Sequence, residues 1–151
     1  MSSRIDIHPE APLVLFAIHP VYVKRILDRS KRWEFRKTRP KPAVKRAAIY
    51  STKPVQKIVA LFAIGQVISD TPGNLWELLK KGAGLCKTDF DGYFARASWG
   101  YAIEITELAT LDPPLLPGKD FVPPQSFYYT SLGTLTGHPP RNEKLTVFFQ
   151  K

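Results

Sequence analysis

One short segment of the chain brings together the side chains best suited to chemistry. Lys31, Glu34 and Arg36 lie within six residues, and Tyr50 and Lys53 follow about one strand later. A carboxylate between cations stays ionised, and it can orient an arginine toward a phosphate or accept hydrogen bonds from a base edge. Arginine supplies a planar fork of donors and lysine a mobile point charge, which suits contacts to phosphate and ribose. The alternative is that Glu34 and Arg36 form a structural ion pair, and the two roles are compatible.

These residues belong to a strongly basic stretch. Residues 24–57 contain 13 Lys or Arg and two acidic residues, whereas the rest of the chain carries 9 basic and 11 acidic residues. A charge excess concentrated in one place predicts a surface for a polyanion, above all nucleic acid. The alternative is a solvated face with no partner. Apolar residues such as Trp33, Phe35 and Ile49 interrupt the charges, which favours a folded segment over a disordered arm.

The period of two in residues 31–37 divides this segment between two faces. Trp33 and Phe35 fall on one side of the predicted strand, and Arg32, Glu34 and Arg36 fall on the other. We therefore expect the two aromatic residues to enter a core while the three charged residues line a surface. Because Trp33 then points inward, Tyr50 is the better candidate for stacking on a base.

Apolar runs bounded by Gly and Pro predict the elements that position these residues. Strands are predicted at residues 13–18, 31–37, 47–52, 57–69, 99–111 and 145–149, with loop at 133–142. Gly65 predicts a bulge or bend in the longest apolar strand. Helices are predicted to start at Pro20, at Asn74, where Glu77 completes a capping box, and near Thr88. An aromatic stripe in the last helix is expected in the core and comprises Phe90, Tyr93 and Phe94.

This order of elements predicts an α+β fold. We expect a small β-barrel of about five or six mostly antiparallel strands, with two or three short helices over its openings. A length of 151 residues suits one domain over residues 1–151, with a core at about 13–129 and a closing strand at about 145–149.

Several function classes find no support in the composition. No apolar run approaches the length of a membrane span, and residues 1–10 contain no apolar stretch typical of a signal peptide. Cys86 is the single cysteine, which favours a cytoplasmic setting over a disulfide framework. The three histidines, at positions 8, 19 and 138, lie far apart without flanking acidic or Cys ligands, so no metal and no cofactor are predicted. Phosphate-cradling Gly loops and hydrolase nucleophile motifs are also missing from the sequence.

Several motifs in this order resemble an ASCH domain over residues 13–129. They are Leu15-Phe16-Ala17-Ile18-His19-Pro20, Lys31-Arg32-Trp33-Glu34-Phe35-Arg36, Ile49-Tyr50-Ser51-Thr52-Lys53-Pro54, Gly100-Tyr101-Ala102-Ile103 and Pro123-Pro124-Gln125-Ser126-Phe127. The hallmark of that family is a Gly-x-Lys-x-x-Glu-x-Arg element, and Lys31, Glu34 and Arg36 match its Lys, Glu and Arg. The family is similar in fold to the PUA superfamily of RNA-binding β-barrels.

The resemblance implies a basic cleft between barrel and helices that binds RNA, single-stranded for preference, or a nucleotide. It places Lys31, Glu34 and Arg36 beside this cleft. From their positions in the sequence we expect Arg32, Tyr50 and Lys53 to contact the nucleic acid as well. Its alternative is metal-independent cleavage of single-stranded RNA, for which the catalytic candidates are Lys31, Lys53, Tyr50 and Ser126. In that reaction a lysine of lowered pKa acts as base or acid, Arg36 stabilises the phosphorane, Tyr50 donates a proton and Ser126 positions the ribose.

Two further activities are less favoured. Shorter relatives in the family hydrolyse N4-acetylcytidine with a Lys, Thr and Glu set. Lys31 matches that Lys, but Glu34 stands where the Thr belongs, and Ala83 or Gly84 falls near the expected Glu. A protein-interaction or transcription-coactivator module has little support from the residues themselves.

Overall fold

The computed structural model describes residues 2–137 and 145–150 of the chain. The strands in these ranges are β1 (Ser2–Ile7), β2 (Leu13–Ile18), β3 (Trp33–Arg36), β4 (Arg46–Ser51), β5 (Lys57–Asp70), β6 (Gly100–Leu115), β7 (Phe127–Thr130) and β8 (Leu145–Gln150). The helices are α1 (Pro20–Leu27), α2 (Pro72–Leu79), α3 (Lys87–Tyr93) and α4 (Leu132–Thr136), with a 3-10 turn at Lys80–Gly82. No helix in these ranges is long and apolar enough to cross a membrane.

The strands form one curled sheet. Its order is β1, β8, β6, β5, β4, β2 and β7, and β3 pairs separately with β6. All pairings in the described ranges are antiparallel except β2 with β4, which are parallel because α1 and β3 form the crossover between them. The long β5 and β6 pair shifts register at three places, and one shift, between Ile64 and Val67, spans Gly65. The predicted bulge at Gly65 is confirmed, and such shifts bend the sheet.

Two apolar clusters lie on either side of the site described below. In the first, Val23 and Ile26 of α1 pack on Phe16 and Ile49 of the sheet. In the second, α2 and α3 pack on β3 and β6 through a set of buried residues. These are Phe35, Leu75, Leu79, Ala83, Phe90, Phe94 and Ala102. A gap between α1 and α3 therefore lies between these two apolar clusters, and their packing fixes the positions of both helices.

The predicted α+β, barrel-like fold is confirmed, and the described strands and helices exceed the predicted numbers. The additional strands are β1, which pairs with β8, and β7, which pairs with β2. Local hydrogen bonds explain two wrong predictions about helices. α2 begins before Asn74 because Thr71 Oγ1 accepts the Asn74 N–H at 3.3 Å, with Pro72 in the first turn. Residues 133–136 belong to α4, which Ser131 caps, and the remainder of the predicted loop lies outside the described residues.

Candidate functional site

The short strand β3 places two charged side chains on one face. Glu34 pairs with Ile103 of β6 and Arg36 pairs with Tyr101, so both lie on the same side of the sheet. Trp33 and Phe35 point the other way into the α2 and α3 cluster, as their spacing predicts. Antiparallel pairing with β6 fixes the strand. Glu34 and Arg36 are each 8% exposed.

Arg36 is held by backbone and side-chain acceptors as well as by a carboxylate. Its Nε lies 3.3 Å from Glu34 Oε1. Its Nη1 donates to Ser126 Oγ at 3.0 Å and to the Ser126 carbonyl at 3.2 Å, and its Nη2 donates to the Ala17 carbonyl at 3.2 Å. The guanidinium therefore joins β3 to β2 and to the chain before β7. The structural ion pair expected as an alternative is present, and the Nη1 and Nη2 donors of Arg36 are occupied by Ser126 and Ala17.

Lys31 lies beside this pair and is 4% exposed. Its Nζ donates to the Ala83 carbonyl at 2.9 Å and lies 5.0 Å from the centroid of the Phe35 ring. Burial lowers the pKa of Lys31 below its ordinary value, and the charge of Arg36 lowers it further, whereas Glu34 raises it. Lys31 is thus a buried amine that gives up its proton more readily than an exposed lysine.

These three residues line an open cleft of about 270 Å³, here called the Glu34 cleft. Its lining residues are Ala17, Ile18, His19, Tyr22, Lys31, Glu34, Phe35, Arg36, Leu85, Phe90 and Tyr93. Aromatic rings from α1, β3 and α3 form much of the wall, and the polar groups of β3 are at its base. The cleft joins flat apolar surface to a few converging charged groups, a combination typical of small-molecule sites.

Three polar groups of the cleft are left with unused hydrogen-bonding capacity. One is Arg36 Nε, which lies 3.3 Å from Glu34 Oε1 but makes no hydrogen bond in the described part of the chain. Glu34 Oε2 is buried and has no hydrogen-bond partner in the described part of the chain. Lys31 has three N–H donors, and its one hydrogen bond within the same ranges is to Ala83. A buried acceptor without a partner costs free energy, so this arrangement favours a ligand that supplies a donor.

Three of the predicted contact residues lie outside the cleft lining. Arg32 is exposed on the opposite side of β3, where it lies against Gly82. Tyr50 is 3% exposed, and its ring packs against Phe121 at 4.9 Å, so it cannot stack on a base there. Lys53 is exposed in the turn after β4. The structure therefore unites Lys31, Glu34 and Arg36, with Ser126 behind Arg36, and separates Arg32, Tyr50 and Lys53 from them.

Sequence reasoning missed the aromatic walls of the cleft. Tyr22 lies on α1 with the Arg25 guanidinium 5.5 Å from its ring centroid, and its hydroxyl donates to Asp89 at 3.3 Å. Tyr93 was predicted to be core, but it is 39% exposed and lines the cleft, whereas Phe90 and Phe94 are buried as expected. Spacing gave no signal to separate Tyr93 from them, because positions three and four residues after Phe90 lie on the same face of a helix.

The described residues contain no group of three or more His, Cys, Asp or Glu side chains placed to hold a metal ion. His19 caps α1, and its Nδ1 accepts the Val21 N–H at 3.2 Å. His138 lies outside the described residues. The chemistry that the cleft offers comes from an amine, a carboxylate, a guanidinium and aromatic rings.

Comparisons with known proteins agree with the fold. The family model described as "ASCH domain" matches residues 16–114. A protein from Zymomonas mobilis named "ASCH domain-containing ribonuclease" is 25% identical over 124 residues, which cover 78% of this chain and 84% of the relative. The crystal structure of an ASCH protein from Zymomonas mobilis superposes with a TM-score of 0.71 at 23% identity, over 78% of this chain and 86% of that one. A serine-to-alanine mutant of that protein gives a TM-score of 0.70 at 21% identity, over 83% and 90% of the two chains.

Proposed function

The chain belongs to the ASCH domain family, and from that premise we propose that the Glu34 cleft binds one nucleotide of an RNA chain. The observation that carries the proposal is the unused acceptor at Glu34 Oε2 beside the unused donors of Lys31. Both side chains are buried, so neither can satisfy itself with bulk water as an exposed group does. A ligand with a donor and an acceptor on one edge would complete both.

A nucleobase has such an edge. Each base presents N–H groups next to carbonyl or ring-nitrogen acceptors on its Watson–Crick side. Glu34 is the acceptor for the N–H, and Lys31 is the donor for the neighbouring oxygen or nitrogen. Because a mismatched ligand would leave a buried group unpaired, the same two residues also provide selectivity among bases.

The walls of the cleft favour single-stranded RNA or a free nucleotide. Tyr22, Phe90 and Tyr93 supply aromatic surface around the charged groups at the bottom of the cleft. A base can reach such surface only when it is unstacked from its neighbours, as in a single strand. A cytoplasmic setting, where RNA is available, is part of the same proposal and accords with the one free cysteine, Cys86.

Calorimetric titration with the four nucleoside 5′-monophosphates tests this function. We expect the protein to bind at least one of them, and Glu34→Gln to weaken that binding by about 10- to 100-fold, the equivalent of one charged hydrogen bond. Glu77→Gln is the matched control, since Glu77 is exposed on α2 and pairs with Lys80. Thermal melts establish that the variants are folded. Absence of binding, or equal affinity in Glu34→Gln and Glu77→Gln, would overturn the proposal.

A second candidate function is cleavage of single-stranded RNA without a metal. Two observations favour it: the Zymomonas mobilis relative is named a ribonuclease, and Lys31 is a buried amine of lowered pKa in the cleft. In this reaction the neutral Lys31 amine takes the proton of a ribose 2′-hydroxyl, whose oxygen attacks the adjacent phosphorus. The P–O5′ bond then breaks and leaves a 2′,3′-cyclic phosphate; the departing 5′-oxygen takes a proton from water, and the Lys31 ammonium releases its proton to solvent.

The positions of the other three catalytic candidates reduce the choice of catalytic base. Tyr50 packs in the core, and Lys53 is exposed outside the cleft lining. Ser126 accepts a hydrogen bond from Arg36 and so acts on the substrate only through that guanidinium. Among the four candidates, Lys31 lines the cleft and is the proposed base.

Incubation of labelled single-stranded RNA with wild type, Lys31→Ala and Lys53→Ala in EDTA tests cleavage. We expect wild type and Lys53→Ala to cleave and Lys31→Ala to be inactive. Cleavage that persists in Lys31→Ala would locate the activity at another site or in a contaminant. Hydrolysis of N4-acetylcytidine is disfavoured, because Lys31 contacts the Ala83 carbonyl where that reaction requires a carboxylate.

A further inference from the structure

The loop between β3 and β4 carries an unusual density of exposed cations. No acidic residue occurs between Glu34 and Asp70. Five exposed cations lie in residues 37–46, namely Lys37, Arg39, Lys41, Lys45 and Arg46. The ion pairs among the described side chains involve none of the five. No carboxylate in those ranges forms an ion pair with these cations, so their mutual repulsion remains. A polyanionic ligand would reduce that repulsion.

Hydrogen bonds hold this loop in place. The Val44 N–H donates to the Lys41 carbonyl at 3.0 Å, and the Ile64 N–H of β5 donates to the Lys45 carbonyl at 2.8 Å. The Lys41 N–H donates to the Tyr129 hydroxyl at 2.9 Å. The cations thus project from an anchored backbone, which reduces the conformational entropy that a ligand would have to remove.

The loop starts at the Glu34 cleft and continues away from it. Arg36 lines the cleft, and the next residue, Lys37, has its Nζ 4.8 Å from the centroid of the Tyr93 ring at the cleft wall. Farther along, Lys41 Nζ lies 4.9 Å from the centroid of Tyr129, which is 40% exposed. Cations and partly exposed tyrosines therefore lie side by side at two points along the loop.

We propose that residues 37–46 form a phosphate-binding arm for single-stranded RNA that extends from the cleft. One nucleotide occupies the cleft, and the phosphates of the adjoining nucleotides contact the exposed cations of the arm. Tyr93 and Tyr129 favour RNA over an acidic peptide as the ligand. A base can stack on either ring while its phosphate contacts the neighbouring lysine. The cleft end of this assignment rests on the proposed function, whereas the arm itself can be tested separately.

Fluorescence anisotropy with labelled oligoribonucleotides of two lengths, a trinucleotide and a dodecanucleotide, tests the arm over a series of KCl concentrations. The arm variant is Lys37→Gln, Lys41→Gln and Lys45→Gln combined. The matched control removes three exposed lysines outside residues 24–57, namely Lys80, Lys81 and Lys119, also by Gln. Both variants lose three positive charges, so a difference in RNA affinity between them shows that the position of the lysines matters.

Wild type and the control are expected to bind the dodecanucleotide more tightly than the trinucleotide. The arm variant should lose this advantage, and its slope of log affinity against log salt should fall by about 2, at ~0.7 for each phosphate contact on a single strand. Equal losses in both variants, no loss in the arm variant, or competition by polyglutamate as effective as by RNA would each overturn the proposal.

Mononucleotide titrations separate the two proposals. If the arm variant binds a nucleoside monophosphate as wild type does but loses the length advantage, both the cleft and the arm are supported. If no mononucleotide binds while the dodecanucleotide still depends on the arm lysines, the cleft proposal fails and the arm stands.

Discussion

Glu34 Oε1 lies 3.3 Å from Arg36 Nε, while Glu34 Oε2, on the same carboxylate, is buried without a hydrogen-bond partner in the described ranges. One oxygen of Glu34 therefore serves the fold and the other is available to a ligand. The two roles are physically linked, because Arg36 fixes the orientation of the carboxylate before any ligand arrives. The hallmark spacing of Glu and Arg, two residues apart on a strand, is what makes this division possible.

The first prediction concerns the cost of breaking this pair. Arg36→Met leaves Glu34 buried without its partner and removes the hydrogen bonds to Ser126 and Ala17. We expect the free energy of unfolding to fall by about 3–5 kcal/mol, measured by urea denaturation. Arg39→Met, at an exposed position, should change it by less than about 0.5 kcal/mol.

A double variant tests whether the loss arises from the orphaned carboxylate. Glu34→Leu combined with Arg36→Met removes both charges and should be more stable than Arg36→Met alone. If the double variant is the less stable of the two, the hydrogen bonds of Arg36 to Ser126 and Ala17, rather than its charge pairing, dominate the effect.

The second prediction is a pH dependence caused by Lys31. Its pKa in the folded protein lies below the ordinary value of 10.5, with burial as the main cause. Between these two pKa values the unfolded chain binds more protons at Lys31 than the folded protein, so this residue makes the free energy of unfolding rise with pH. Compared with Lys31→Met, wild type should gain stability as the pH rises from the lowered pKa of folded Lys31 toward the ordinary value of 10.5.

Urea denaturation of both proteins at a series of pH values measures this difference. Other lysines and tyrosines titrate in the same range, but they are common to both proteins and cancel in the comparison. A difference that stays constant with pH would show that Lys31 titrates as an exposed lysine does.

The third prediction compares two glycines. Gly84 has φ +70°, and a Cβ added there would collide with the Lys31 side chain. We expect Gly84→Ala to destabilise the protein by at least ~1–2 kcal/mol from its backbone conformation alone and to weaken nucleotide binding by moving Lys31. Gly92 lies in α3 with open space around its Cα, so Gly92→Ala should stabilise the protein by up to ~1 kcal/mol. Thermal denaturation measures the stabilities, and a Gly84→Ala variant as stable as Gly92→Ala would contradict the close approach to Lys31.

The fourth prediction concerns Arg29, the residue that follows the C-terminal cap of α1. It has φ 72° immediately after Asp28 caps the helix. Helices commonly end with glycine in this left-handed conformation. Because an L residue costs about 1–2 kcal/mol there and glycine loses about 0.5–1 kcal/mol of chain entropy, Arg29→Gly should stabilise the protein by ~0.5–1 kcal/mol. Arg29→Ala keeps the unfavourable left-handed backbone and should not stabilise the protein. Equal free energies of unfolding for Arg29→Gly and Arg29→Ala would show that backbone strain at this position does not limit stability.

Local patterns were sufficient to predict the strand that carries the hallmark. The period of two separated Trp33 and Phe35 from Glu34 and Arg36, and Gly65 marked a bulge where the register does shift. These predictions succeeded because each depends on neighbours in sequence, which share a strand and therefore a geometry.

Tertiary placement was beyond such patterns. Tyr50 lies on a strand whose two faces are both buried, so alternation could not show that its ring meets Phe121 instead of the cleft. Arg32 precedes β3, its N–H donates to the Gly82 carbonyl at 2.8 Å, and its side chain lies against Gly82, away from the cleft that Glu34 lines. Contacts between residues far apart in sequence, Arg32 with Gly82 and Tyr50 with Phe121, decide the two cases, and the pattern of a single sequence does not reveal them.

The last prediction follows from the exchange of Tyr50 for Tyr93 as the stacking residue. Tyr93 is partly exposed and faces the cleft, and Lys37 lies over its ring, so a base placed there would meet both an aromatic surface and a cation. Tyr93→Ala should weaken binding of a single-stranded oligoribonucleotide by about 1–3 kcal/mol, roughly 5- to 150-fold, with little change for Tyr93→Phe. Trp99→Ala is the control, because Trp99 is similarly exposed but does not line the cleft. Anisotropy titrations measure the affinities; an equal loss for Trp99→Ala would mean that exposed aromatic surface in general, and not the ring at the cleft wall, holds the RNA.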